Sequence, residues 1–114
     1  MIDQELICKL NLLKEKYPCS TESLDRTPYH NASVGGAKRS YHVTGQAADL
    51  IFDAPSELLP AANYAKSLGF GGIEVDMRNN HLHLDLRKEP WHVVCTSQET
   101  VPLERYLTLY PIPI

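Results

Sequence analysis

Two short clusters of histidine and aspartate contain the residue types that bind metal ions in proteins. In the first, Ser40 to Asp49, His42 and Asp49 are separated by six residues that include Gly45, Ala47 and Ala48. The second is His81-Leu82-His83-Leu84-Asp85, well downstream. Imidazole nitrogen and carboxylate oxygen are zinc ligands, and a catalytic zinc typically has three protein ligands and an open position for water. We predict that His42, Asp49 and one residue of the second cluster hold a catalytic zinc ion.

The second cluster alternates between polar and apolar residues without a break from His81 to Leu86. A period of two predicts a half-buried strand whose leucines lie in the core. His81, His83 and Asp85 would then share the opposite face, where they could supply the third ligand. The alternative is that these are ordinary solvent-exposed histidines.

The rest of the chain supplies elements that could position these clusters. Leucines at helical spacing predict a helix over residues 3–17, with Asp3 as N-cap and Pro18 as its end. Residues 18–41 are rich in proline, glycine and serine, and predict a long irregular segment that forms a wall of the site. The further predicted elements are a strand at 47–52, a helix from 55 to a cap at Gly69, a strand at 70–75, a hairpin turn at 76–81 and a short helix at 102–109.

This pattern predicts the α+β fold class. A small antiparallel sheet would have two main helices packed on one side. The length of 114 residues favours a single domain spanning 1–114.

Composition narrows the functional class. The chain is 43% hydrophobic and 22% charged with a net charge of -3, and it has no basic run, which argues against nucleic-acid binding. We expect no membrane span and, from the acidic start Met1-Ile2-Asp3-Gln4-Glu5, no signal peptide. The expected location is the cytoplasm as synthesised, or a phage particle. The three cysteines predict reduced, mostly buried thiols, with a Cys8–Cys19 bridge as the alternative.

The motif Ser40-x-His42-x-x-Gly45-x-Ala47-x-Asp49 resembles the signature of the zinc D-alanyl-D-alanine peptidase family, which is grouped with lysostaphin-type enzymes and the hedgehog signalling domain. The similarity covers roughly residues 24–91. Its supporting segments are Arg26-Thr27-Pro28, Val34 to Ala37, Phe70 to Ile73, His83-Leu84-Asp85 and Trp91.

The resemblance implies a hedgehog-like or D-Ala-D-Ala-peptidase-like fold and a set of roles. His42, Asp49 and His83 would be the zinc ligands, and His81 would face the substrate as base or transition-state stabiliser. Arg26 would hold a substrate carboxylate or the developing oxyanion. The implied activity is hydrolysis of peptidoglycan stem peptides by a monomeric carboxypeptidase or endopeptidase, such as a phage endolysin.

One departure from the family pattern bears on the general base. Many members have Glu or Asp three residues before the last histidine ligand, where this chain has Asn80. We rank His81 first, Asp85 second and Asp76 third as its replacement, with Glu74 a further candidate. Asp85 could instead orient a histidine ligand. Two other hypotheses stay open: a zinc-stabilised module without hydrolysis, and a structural motif that binds no metal.

Overall fold

A mixed sheet with helices on one face forms the centre of the molecule. The computed structural model describes residues 2–23 and 45–112, and in these residues six strands form one sheet in the order β1-β2-β4-β3-β5-β6. The strands are β1 (Ser20–Ser23), β2 (Ala47–Ile51), β3 (Gly72–Asp76), β4 (His81–Asp85), β5 (Trp91–Cys95) and β6 (Thr100–Pro102). The helices are α1 (Gln4–Lys16), α2 (Leu58–Ser67) and α3 (Leu103–Leu109), with a single 3-10 turn at Pro55–Glu57 before α2.

The sheet is antiparallel except between β3 and β5, which run parallel. After the β3–β4 hairpin the chain crosses to the free edge of β3, so β5 begins at the same end of the sheet as β3. The predicted α+β fold class is confirmed, and its sheet is mostly antiparallel.

The predicted irregular segment is wrong in part, and two further strands were not predicted. The segment 18–41 was expected to be irregular, but Ser20–Ser23 forms β1 against β2. The tail also contains β5 and β6, which were not predicted. These strands form because a neighbouring edge is there to pair with, and that cause is not local to their own sequence. The rest of the predicted loop, residues 24–41, lies outside the described residues.

Helix α1 forms where the leucine spacing predicted it. The Asp3 carboxylate accepts hydrogen bonds from the backbone N–H groups of Glu5 and Leu6, at 2.8 and 3.3 Å, and so caps the helix. Leu6, Leu10 and Leu13 are buried on its inner face. Helix α2 contributes Leu58 and three alanines to the same core.

The sheet has one apolar and one polar face. Its apolar face joins the three helices in a single core cluster that includes Leu50, Ile73, Leu82, Leu84 and Val94. The opposite face carries the polar residues of β2, β3 and β4. None of the helices in the described ranges is both long and apolar enough to cross a bilayer.

The cysteines do not pair. Cys8, Cys19 and Cys95 are all free thiols, so the alternative Cys8–Cys19 bridge does not form. Their predicted burial is wrong, since Cys8 is exposed and the other two are only partly buried.

Candidate active site

The polar face of the sheet brings the predicted strand residues into two rows. Asp49 on β2 and Glu74 on β3 both pair with His83 on β4, which lies between them. In the next row, His81 lies between Ile51 and Asp76. Directly paired residues project to the same face. The polar side chains of both rows, together with Glu22, line a cleft of about 240 Å³.

Gly45 lies in the turn that leads into β2, the strand that carries Asp49. Gly45 has a φ of 73°, which glycine adopts without steric cost, and its carbonyl accepts a hydrogen bond of 2.9 Å from the Asp3 backbone N–H. The chain then enters β2, where Ala48 and Leu50 are buried in the core. Asp49 therefore faces the cleft.

His83 is held by a carboxylate on each ring nitrogen. Its Nδ1 lies 3.0 Å from Asp49 Oδ1, and its Nε2 lies 2.8 Å from Asp85 Oδ2. Burial alone would lower the pKa of His83, but the hydrogen bonds that its ring donates to Asp49 and Asp85 outweigh burial and raise the pKa to about 9. Without a metal the ring is therefore a cation at neutral pH, and each N–H donates to one carboxylate.

Asp85 lies two residues after His83 on β4 and is fully buried. Arg87 donates to it three times: from its backbone N–H and Nε to Oδ1, at 3.1 and 2.8 Å, and from a terminal nitrogen to Oδ2 at 2.6 Å. Burial would raise the pKa of Asp85, but hydrogen bonds from His83 and Arg87 hold it well below its usual range. The group stays an anion.

The candidate bases His81 and Asp76 have different surroundings. His81 is partly exposed, with Nδ1 3.3 Å from Glu22 Oε2. Asp76 is bound to the hairpin turn, where Arg78 donates from its backbone N–H and Nε and Asn79 donates from its side-chain amide, all at 3.0 Å. Burial would raise the pKa of Asp76, but these hydrogen bonds lower it.

Glu22 is a cleft residue that sequence reasoning missed. It lies on β1, next to a shift in the β1–β2 register between Thr21 and Ser23. The segment Ser20-Thr21-Glu22-Ser23 has no apolar alternation that would indicate a strand. Only the pairing with β2 places it here.

The comparison with known families now bears on this cleft. A family model described as Peptidase M15 matches residues 2–85, most of the chain. The protein belongs to the peptidase M15 family. The matched region runs from α1 to the end of β4 and so contains Asp49, His83 and Asp85. A search among curated proteins found no match. Peptidases of this family are generally zinc-dependent.

Of the three predicted zinc ligands of this peptidase, the described structure brings two together. Asp49 and His83 are adjacent, whereas His42 and the predicted substrate residue Arg26 lie outside the described residues. Within residues 2–23 and 45–112, no three histidine, cysteine, aspartate or glutamate side chains are grouped as a metal site. The roles assigned to all six site residues remain predictions.

The Asp49–His83 pair nonetheless fits zinc. Two ligand atoms about 2.0–2.2 Å from one tetrahedral zinc are roughly 3.3–3.5 Å apart. The observed separation of 3.0 Å needs a shift of only a few tenths of an ångström. Neutral imidazole and carboxylate are both donors that zinc accepts, and Asp85 already occupies the far nitrogen of the ring.

Proposed function

We propose that this M15 peptidase is a zinc metallopeptidase that hydrolyses an amide bond in peptidoglycan stem peptides, as a carboxypeptidase or an endopeptidase. The observation that carries the proposal is the 3.0 Å approach of Asp49 and His83 on the polar face of the sheet. A carboxylate oxygen and an imidazole nitrogen therefore lie within a few tenths of an ångström of the separation that zinc requires.

His42, Asp49 and His83 would hold the metal. When bound, zinc lowers the pKa of a coordinated water to about 7 and polarises the scissile carbonyl. Asp49 contributes an oxygen from β2, and His83 contributes Nδ1 from β4. Both strands lie within the sheet rather than at its edge, so the two donors sit on a rigid base.

His81 is the proposed general base. It lies two residues from His83 on the same strand face, and its side chain is 33% exposed, so substrate can reach it. Glu22 contacts its Nδ1, which leaves Nε2 to accept a proton from the attacking water and return it to the leaving amine. The oxygens of Asp85 and Asp76 already accept hydrogen bonds from neighbouring donors, which supports ranking them second and third. Arg26 would bind the substrate carboxylate or the oxyanion.

The proposed setting follows from the substrate. The peptidase would act on the cell wall or in the periplasm, after release from a cell or from a phage particle. It would act as a monomer and would not bind nucleic acid. The second candidate function is a zinc-stabilised cell-wall-binding module without hydrolysis. It is favoured by Asn80, which stands where many relatives have an acidic residue.

The test begins with the zinc content of the purified full-length protein. The protein is then incubated with purified peptidoglycan, and newly released amino groups are counted. Stoichiometric zinc together with new amino groups is the expected result. Stoichiometric zinc without them would favour the binding module, and absence of zinc would refute the metal assignment.

Variants separate the roles of the two histidines on β4. His81→Ala should abolish release of amino groups while zinc stays bound, because the base is lost and the ligands remain. Loss of zinc in this variant would instead make His81 a ligand. Glu104→Gln, an exposed carboxylate change on α3, is the matched control and should retain activity.

A further inference from the structure

We propose that Asp85 is a positioning residue that fixes His83 for metal binding, and that Arg87 and Gly72 exist in this chain to hold Asp85 in place. The inference rests on the proposed zinc function. It gives a role to Gly72 on β3, Asp85 on β4 and Arg87 just after β4, none of which is a proposed metal ligand.

The carboxylate of Asp85 has no capacity left for chemistry with substrate. Its Oδ1 accepts two hydrogen bonds from Arg87, and its Oδ2 accepts one from Arg87 and one from His83. The side chain is 0% exposed, so no substrate group can reach either oxygen. Within the described part of the chain, its contact with the proposed site is therefore the bond to His83 Nε2.

Gly72 provides the space in which this carboxylate lies. Gly72 on β3 pairs directly with Asp85 on β4, and a Cβ atom at Gly72 would lie 2.0 Å from Asp85 Oδ1 and 2.2 Å from Cγ and Oδ2. Any side chain at position 72 would collide with all three carboxyl atoms. The carboxylate therefore lies flat against the β3 backbone, in the position that another residue's Cβ would fill.

Arg87 fixes the remaining freedom of the carboxylate. The planar guanidinium forms a two-pronged contact with both oxygens, a geometry that sets orientation as well as distance. The neighbouring glycine is equally constrained, because a Cβ at Gly71 would lie 1.6 Å from the Arg87 carbonyl oxygen. The Gly71-Gly72 pair thus allows the chain around Arg87 to lie directly on β3.

The fixed carboxylate of Asp85 in turn sets the orientation of the His83 ring. With Nε2 bound to a fixed carboxylate, the ring cannot rotate, and Nδ1 is aimed at Asp49. Carboxylates that bind the far nitrogen of a histidine ligand set its orientation and raise its basicity, and their loss typically weakens metal binding 10- to 100-fold. A surface ion pair would not have this effect, whereas a buried one aimed at a ligand should.

The test measures zinc affinity by competition with a chromophoric chelator, using the full chain after metal removal. Asp85→Asn keeps the shape of the side chain but replaces one acceptor oxygen with an amide. We expect it to weaken zinc binding about 10- to 100-fold. Arg87→Gln should weaken binding by less, because Asp85 remains but is held more loosely. Glu104→Gln is the control and should match the wild type.

A second readout separates positioning from general stability. The visible spectrum of the cobalt-substituted protein reports ligand geometry, and circular dichroism at the same temperature reports the folded fraction. A purely structural Asp85 would lower the melting temperature but leave the affinity and cobalt spectrum of the folded protein unchanged. Asp85→Asn and Arg87→Gln affinities both within about threefold of the wild type, well below the loss expected for such a partner, would overturn the proposal.

Arg87→Gln decides the matter if Asp85→Asn does not fold, because the Arg87 side chain is 27% exposed and Asp85 keeps its hydrogen bonds from His83 and from the backbone N–H of residue 87. In that case unchanged affinity and an unchanged cobalt spectrum for Arg87→Gln refute the inference. Failure of the proposed function looks different, since the wild type itself would then bind no zinc.

Discussion

Replacing Gly72 with alanine tests the packing beneath the site without touching any proposed ligand. The added Cβ would lie 2.0–2.2 Å from the carboxyl atoms of Asp85, far inside contact distance. Forcing an extra methyl into a packed interior costs about 1–3 kcal/mol. Because the carboxylate must also leave Arg87 and His83, the cost approaches that of breaking a buried ion pair, about 3–5 kcal/mol. Domain stabilities are typically about 5–15 kcal/mol, so much of the total would be lost.

Urea denaturation of the zinc-free protein measures this loss as a fall in the free energy of unfolding. Gly69→Ala is the matched control: its φ of 89° makes alanine strained, but among the described residues the new Cβ would meet only the flexible Lys9 ammonium, at 3.1 Å. We expect this control to cost about 1–2 kcal/mol. If Gly72→Ala costs no more than Gly69→Ala, the carboxylate is not confined as described and the reasoning fails.

Three further predictions concern pH, metal and the hairpin turn. The zinc-free protein should lose stability as pH rises from about 6.5 to 9, because folding raises the pKa of His83 to about 9 and its contribution is complete only below the unfolded value. Urea titrations at pH 6 and 9.5 should show this loss, and His83→Gln should remove it. Zinc at 100 times its dissociation constant should add about 2.7 kcal/mol to the unfolding free energy. Calorimetric unfolding of Asp49→Ala at the same zinc concentration should show no such gain in unfolding free energy. Asn80→Gly should keep zinc binding and hydrolysis, because glycine accepts the φ of 56° found there; loss of hydrolysis with zinc retained would give the Asn80 amide a role in the reaction.

Much of the fold could be predicted from local signals in the sequence. The N-cap at Asp3 and the leucine spacing predicted α1, because capping and helical periodicity act within a few residues. The alternation in β4 predicted a strand with two faces, and Leu82 and Leu84 are indeed buried while His81 and His83 face the cleft. The pairing of Asp49 with His83 follows from the register of β2 and β4.

The sequence alone could not show which polar residue of β4 is buried. Alternation placed Asp85 on the same open face as the histidines, yet it is 0% exposed. The cause is non-local, since Asp85 pairs with a glycine on β3 and is covered by Arg87. The Gly71-Gly72 pair was visible in the sequence, but its meaning depended on the β3–β4 register. Glu22 was missed for the same kind of reason, because its strand is defined by its partner.

Asn80 connects the fold to the question of activity. Its φ of 56° is a left-handed conformation in the β3–β4 turn, and its carbonyl accepts a 3.0 Å hydrogen bond from the Phe52 backbone N–H. Glycine, asparagine and aspartate tolerate this conformation, whereas for most other side chains it costs about 1–2 kcal/mol. The tight turn therefore favours glycine or a short polar residue such as asparagine at position 80. Since the same turn places His81 at the start of β4, beside Glu22 and facing the cleft, the proposal that His81 is the base does not depend on an acidic residue at position 80.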